Sequence, residues 1–212
     1  MSEARPVFVV LDGIDGCGKT TQARLLAKAL STRRGREAVH LREPGSTPLG
    51  ERIRELVLSR EFEIASASET LLFAAARRAL LDQRVAPALA SGSDVVCERF
   101  HASTFAYQSV AGNLDEAKVL DLLHTWAGKP APDLTVILDL EPRAALARRK
   151  TPGDRIEDRG LAFQEAVAMG YRRYAKLDPL ARLVDADAAE ELVAERVLAC
   201  LETLFAKGVS RG

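Results

Sequence analysis

One stretch constrains the chain more than any other: Val7-Phe8-Val9-Val10-Leu11-Asp12-Gly13-Ile14-Asp15-Gly16-Cys17-Gly18-Lys19-Thr20-Thr21. Val7 to Leu11 is a continuous apolar run rich in β-branched residues, the pattern of a strand buried in a parallel sheet. Gly13-x-x-x-x-Gly18-Lys19-Thr20 follows at once, and a helical pattern follows that. Strand, glycine loop and helix in this order are the context that confirms a phosphate-cradling loop, or P-loop. Its glycines let the backbone turn tightly and bring N–H groups to phosphate oxygens. The helix beginning near Lys19 aims its positive dipole end at the same place. Gly13, Ile14, Asp15, Gly16, Cys17, Gly18, Lys19, Thr20 and Thr21 are therefore the candidate triphosphate site. Lys19 can reach β- and γ-phosphates, and the Thr20 hydroxyl can ligate Mg²⁺.

With 212 residues the chain suffices for one well-buried domain and is short for two. Lys plus Arg equal Asp plus Glu at 30 each, so no net basic field favours a long nucleic acid. Three cysteines, odd in number and far apart, form neither a disulfide framework nor a zinc set and suit a reducing cytosol. No apolar run approaches the ~20 residues of a membrane span. Residues 1–6 are too short and polar for a signal peptide.

Downstream, helical spacing predicts helices over Lys19–Arg33, Leu49–Ser59, Ser66–Leu89, Asp115–Trp126, Pro142–Lys150, Leu161–Leu177 and Ala188–Phe205. Strands are predicted at Ala38–Arg42, Asp94–Cys97, Leu134–Leu140 and Leu183–Asp185. Strands alternating with helices imply a three-layer α/β domain with a five-stranded parallel sheet. It spans 1–212 undivided, with a lid segment at about 148–160.

Ligands of open α/β sheets bind at the strands' C-terminal ends. Arg42-Glu43-Pro44 and Glu98-Arg99 both fall there. Arg42 and Glu43 read as substrate contacts or as solvated loop charges. Glu98 and Arg99 read as a cation ligand and a phosphate clamp, or as a buried ion pair. Phe73 and Arg77 are four apart and share a helix face, suiting a stacked and hydrogen-bonded base. From helical spacing alone, packing for Phe73 and a rim charge for Arg77 is the better reading. The run Arg148 to Arg159 reads as a closing loop of cations or as a solvated face. His101 stands alone and reads as non-catalytic.

Five stretches converge on one family. Asp12-Gly-Ile-Asp-Gly-Cys-Gly-Lys-Thr-Thr21, Arg42-Glu-Pro-Gly-Ser-Thr-Pro48, Leu72-Phe-Ala-Ala-Ala-Arg77, Glu98-Arg99 with Ser103 and Ala106-Tyr-Gln108, and Asp154-Arg-Ile-Glu157 together resemble bacterial thymidylate kinases over residues 7 to 205. The resemblance implies a P-loop NTPase fold, a cytoplasmic homodimer, and transfer of phosphate from Mg·ATP to dTMP. It implies that Asp15 contacts the acceptor's 3′-hydroxyl and that Phe73 stacks on thymine while Arg77 donates to its O4. Arg99, with Arg42 and Pro44 nearby, would hold the acceptor phosphate. Ser103, Thr104 and Gln108 would line the base side, and Tyr107 would crowd the sugar 2′-position. Thr20 and Glu98 would hold the metal. Lys19, Asp15, Arg99 and the lid residues Arg149 and Arg155 would be catalytic, with Arg148 also in the lid. Glu98 stands where the family usually has Asp, and Asp12 where it usually has Glu. The competing readings are a kinase for another nucleoside monophosphate or a deoxynucleoside, and a non-catalytic nucleotide-binding module.

Overall fold

Five parallel strands run in the order β2-β3-β1-β4-β5. They are β1 (Phe8–Gly13), β2 (Val39–Arg42), β3 (Val95–Glu98), β4 (Leu134–Asp139) and β5 (Ala181–Asp185). The structure, a computed structural model, describes residues 5–148 and 155–206. β1 is buried along its whole length, and period two divides its side chains between two cores. Val9 and Leu11 join the larger cluster on one face; Phe8 and Val10 join the smaller cluster on the other. Burial on both faces is what an unbroken apolar run requires.

The helices are α1 (Lys19–Arg34), α2 (Pro48–Leu58), α3 (Ser66–Leu80), α4 (Ala86–Ala90), α5 (His101–Thr104), α6 (Glu116–Ala127), α7 (Pro142–Arg148), α8 (Leu161–Leu177) and α9 (Glu190–Ala206). Local chemistry sets several ends. Gly35 closes α1 in the left-handed region and returns its N–H to Ser31. Thr47 caps α2 by accepting from Gly50 N, with Pro48 at the first helical position. Asp115 caps α6 in the same way through Lys118 N.

Two segments differ from the sequence expectation. The helix predicted over Ser66–Leu89 is continuous but widens into a π-turn at Leu81–Val85 before α4. Pro87 gives the reason: its ring cannot share the space of a normal i−4 carbonyl. The stretch after Arg99, with no predicted element, is helical: α5 continues into a second π-turn at Phe105–Val110. Gly170 of α8 packs against that turn so closely that a Cβ would lie 2.8 Å from Ala106 Cα.

Register brings the functional ends level. Leu11 and Arg42 both pair with Glu98. The ladder extends one step further, with Glu43 N donating to Glu98 O and Arg99 N to Leu11 O. Asp12, Glu43 and Arg99 thus stand together where β1, β2 and β3 end. The strand order changes direction at β1, which opens the crevice where parallel sheets bind ligands.

Candidate active site

A cleft of about 420 Å³ opens at these strand ends. Asp15, Gly16, Gly18, Lys19, Thr20 and Thr21 line one end of it, and Phe73, Arg77, Thr104, Tyr107 and Gln108 the other. Arg42, Pro44, Glu98, Arg99 and Ser103 lie along its wall. Gly13, Ile14 and Cys17 are buried and form the floor of the loop rather than the lining.

The P-loop end is made of backbone. Gly16 (φ 86°) and Gly18 (φ 95°) hold left-handed conformations that other residues adopt only with strain. A Cβ on Gly16 would also sit 2.4 Å from Ala145 O. No side chain caps α1, so its first-turn N–H groups stay available to an anion. Lys19 Nζ donates to Gly13 O (2.9 Å) and Ile14 O (2.8 Å) and sits 3.4 Å from Asp15 Oδ1. Burial alone would raise the Asp15 carboxyl. Arg99 and Lys19 beside it, with the Tyr107 hydroxyl donating at 2.9 Å, instead hold it well below the usual carboxylate range.

Thr20 Oγ1 donates to Glu98 Oε2 at 2.5 Å, and His40 Nε2 meets the other Glu98 oxygen at 2.9 Å. Burial pushes the Glu98 carboxyl up, but the His40 and Thr20 hydrogen bonds prevail and lower it. A hydroxyl and an ionised carboxylate side by side at the loop fit a hard divalent cation, which takes one or two protein oxygens and completes its shell with water and phosphate. No group of three or more His, Cys, Asp or Glu that could hold a metal occurs among the described residues.

Arg99 carries φ 66°, a left-handed conformation unusual for a side-chain-bearing residue and costing about 1 kcal/mol or more. Asp12 makes this turn possible. Fully buried, its carboxylate accepts from Gly13 N, Phe100 N and Ser103 N, from Ser103 Oγ (2.6 Å) and from Tyr171 OH (2.7 Å). It therefore caps α5 from a neighbouring strand and turns the Arg99 guanidinium into the cleft. There it bonds Asp15, and Ser103 Oγ at 3.1 Å.

Buried side chains build the far end. Arg77 is 1% exposed, so the rim-charge reading is wrong. Its partner is Glu43, likewise buried, engaged through Nε (2.8 Å) and Nη2. The solvated-loop reading of Glu43 fails with it. Arg77 Nη2 also donates to Phe100 O (3.0 Å) and Thr104 Oγ1 (3.1 Å). Nη1 is buried with no hydrogen-bond partner among the described residues. An unmet guanidinium donor in a cleft wall is costly unless a ligand meets it. Burial pushes the Glu43 carboxyl up to about 7 against the pull of Arg77, with Asp12 adding to the rise. His101 is buried, held well below its usual pKa by burial and Arg77, and bonded to Ala127 O, all outside the cleft.

Arg155 lies elsewhere than over the P-loop. Its guanidinium donates to Val57 O (3.1 and 2.8 Å) and to Glu69 Oε1 (2.5 Å), closing the far end from behind α2 and α3. A buried carboxylate holds it there. Arg148 donates to Ala186 O and Asp187. Arg149 lies outside the described residues.

Sequence reasoning missed Asp12 as the hub, Glu69 behind the pocket, and Arg54, Leu58 and Ile156 in the lining. For Glu69 the signal was present: Glu69, Phe73 and Arg77 fall at i, i+4 and i+8 on one face of α3.

A strand–glycine loop–helix unit at the centre of a parallel sheet, with lysine, hydroxyl and carboxylate at its mouth, defines a P-loop NTPase fold. A family model described as thymidylate kinase matches residues 11–197. The chain belongs to the thymidylate kinase family. It is 39% identical over 204 residues to a thymidylate kinase of Chlamydia muridarum, covering 94% of this chain and 100% of that one. It is 41% identical over 211 residues to one from Gloeobacter violaceus, covering 97% and 99%. Among solved structures, the thymidylate kinase from Ehrlichia chaffeensis superposes with TM-score 0.76 at 31% identity, covering 93% of this chain and 99% of that one.

Proposed function

We propose that the protein is a dTMP kinase, transferring the γ-phosphoryl group of ATP to the phosphate of dTMP to give dTDP and ADP. One observation carries this reading: a single cleft is lined by the P-loop lysine at one end and at the other by Arg77, whose buried Nη1 lacks a partner among the described residues. The first suits a triphosphate, and the second suits a carbonyl on a base.

In this mechanism ATP lies with its phosphates on the amides of Gly16 to Thr21. Lys19 leaves the carbonyls of Gly13 and Ile14 to reach the β- and γ-phosphates. The acceptor lies across the strand ends, with Phe73 against its ring, Arg77 Nη1 on O4, and Thr104 and Gln108 beside the base. Arg99 holds its phosphate, with Arg42 and Pro44 flanking. Asp15 and Tyr107, bonded to each other, face the sugar. A phosphate oxygen of dTMP then attacks the γ-phosphorus in line, the bond to the bridging oxygen breaks, and ADP leaves. The attacking oxygen is already anionic, so positioning and charge neutralisation suffice and no general base is needed. Mg²⁺ is the proposed metal, held by Thr20 and Glu98; when bound it neutralises charge on the phosphate oxygens. A nucleoside acceptor would require a base at its hydroxyl. Glu98 is the candidate for that base, and comparing thymidine with dTMP as acceptor separates the two readings.

The chain is proposed to act as one domain, 1–212, with the segment at about 148–160 as its lid. Arg149 and Arg155 are the proposed lid cations, and reaching ATP would require Arg155 to leave Glu69. A homodimer is proposed: Leu71 of α3 and Trp126 of α6 are 59% and 66% exposed, and α3 packs on α6, so a second copy would cover both. No helix among the described residues is long and apolar enough to cross a membrane. Free thiols at Cys17, Cys97 and Cys200 support a cytoplasmic site. ADP release on adding dTMP to protein with Mg·ATP tests the activity; its absence would refute the assignment.

A further inference from the structure

Glu69 does not line the cleft, yet it touches a residue that does. It is 1% exposed, and each oxygen is engaged: Oε1 by Arg155 Nη2 at 2.5 Å, Oε2 by Gln108 Nε2 at 3.0 Å. A carboxylate facing a guanidinium offers acceptors only, so it must be met by the NH₂ side of the Gln108 amide. The amide is planar, and its carbonyl oxygen is therefore turned away from Glu69. Gln108 lines the cleft on the same side as Arg77, whose Nη1 is an unmet donor. The cleft is thus lined both by a guanidinium, which can only donate, and by an amide whose NH₂ is committed to Glu69, leaving its oxygen to accept.

That pair distinguishes bases. A 4-oxo pyrimidine presents an acceptor at O4 and a donor at N3–H. A 4-amino pyrimidine presents the reverse, a donor at N4 and an acceptor at N3. If Gln108 could flip, it could offer its NH₂ to the second kind. We propose that Glu69 is a positioning residue for base discrimination: by holding the Gln108 amide in one orientation, it makes the acceptor pocket select dTMP over dCMP. This rests on reading the cleft as the dTMP site. It gives Glu69 a part in specificity that a buried anchor for Arg155 alone would not have.

The test compares kcat/KM for dTMP and dCMP on single preparations, so that a lowered folded fraction cancels in the ratio. Glu69→Gln keeps the volume but lets residue 69 offer either oxygen or NH₂ to Gln108. Its dTMP-to-dCMP ratio should fall about tenfold, since one misplaced buried hydrogen bond is worth about that factor. The loss should appear in KM for the acceptor, with KM for ATP moving less than about twofold. In the double variant Glu69→Gln, Gln108→Glu, the amide at position 69 accepts from Arg155 and donates to the carboxylate at position 108. The second oxygen of that carboxylate then faces the base. The exchange should restore the ratio, and it serves as the decisive readout if Glu69→Gln alone does not fold. An unchanged ratio in Glu69→Gln, or an exchange variant that fails to discriminate, would overturn the inference. Wild-type protein without dTMP turnover would overturn instead the acceptor assignment on which it rests.

Discussion

At one end of the cleft, the loop from Gly13 to Thr21 offers backbone N–H groups and one lysine, all within nine residues of sequence. At the other, side chains far apart in sequence are paired: Glu43 with Arg77, and Glu69 with Gln108 and Arg155. The difference follows from what each end must recognise. A triphosphate is highly charged and much the same in every nucleotide, so a helix N-terminus and repeated amides suffice. A base is neutral and must be told from similar bases, so its site needs donors and acceptors at fixed positions. Those groups are buried, and they hold position by bonding one another. The P-loop end can therefore lose side chains with little effect on folding, whereas the far end cannot.

The largest expected effect tests the P-loop end. Lys19→Ala should lower kcat by about 10²-fold or more, the usual cost of removing one preorganised donor to transition-state charge. Its melting temperature should stay within a few degrees, because Lys19 donates mainly to loop carbonyls. A large loss of stability would break the comparison.

Arg77→Ala reverses the pattern. It leaves Glu43 buried without its counter-charge, which costs about 3–5 kcal/mol of stability. Calorimetry should show a melting point lower by roughly 10 °C for a domain of this size. Among folded molecules, KM for dTMP should rise and KM for ATP should hold. Equal changes for both substrates would mean that Arg77 does not read the base.

Gly16→Ala asks how far the loop depends on its backbone. The φ of 86° and the 2.4 Å approach to Ala145 O both oppose a Cβ. ATP affinity, measured by calorimetric titration, should fall about tenfold, with dTMP affinity less affected. Equal weakening of both ligands would mean that the two ends are not independent.

The smallest effect is a pH dependence. The Asp15 carboxyl is held low in the folded chain by Arg99 and Lys19 against the cost of burial. The unfolded chain therefore binds the proton first, and the stability due to ionised Asp15 is present above about pH 4 and lost as pH falls below it. Asp15→Asn should melt below wild type at neutral pH, and the gap should narrow as pH drops under about 4. A gap constant with pH would show that the ionised form contributes nothing.

The same contrast explains what could be read in advance. The P-loop, β1 and α1 are written locally, in an apolar run, a glycine spacing and a helical face, and they appear where expected. The far end is written in long-range pairs. Arg77 looks like a rim charge by spacing because Glu43, which draws it inside, lies 34 positions earlier. The helix after Arg99 has no cap in its own sequence; Asp12 supplies one from β1. β5 begins at Ala181, two residues before the predicted start, because Arg182 interrupts its apolar pattern. Arg155 sits among cations that look like a lid, and only the buried Glu69 of α3 shows where its side chain rests.

The most direct test of the account is ADP release by purified protein with Mg·ATP, scanning dTMP, dUMP, dCMP, dGMP, AMP and thymidine as acceptors. A dTMP kinase should strongly prefer dTMP and should not turn over thymidine. A preference for another acceptor would contradict the assignment of the far end, and release with none of them would contradict the assignment of a kinase.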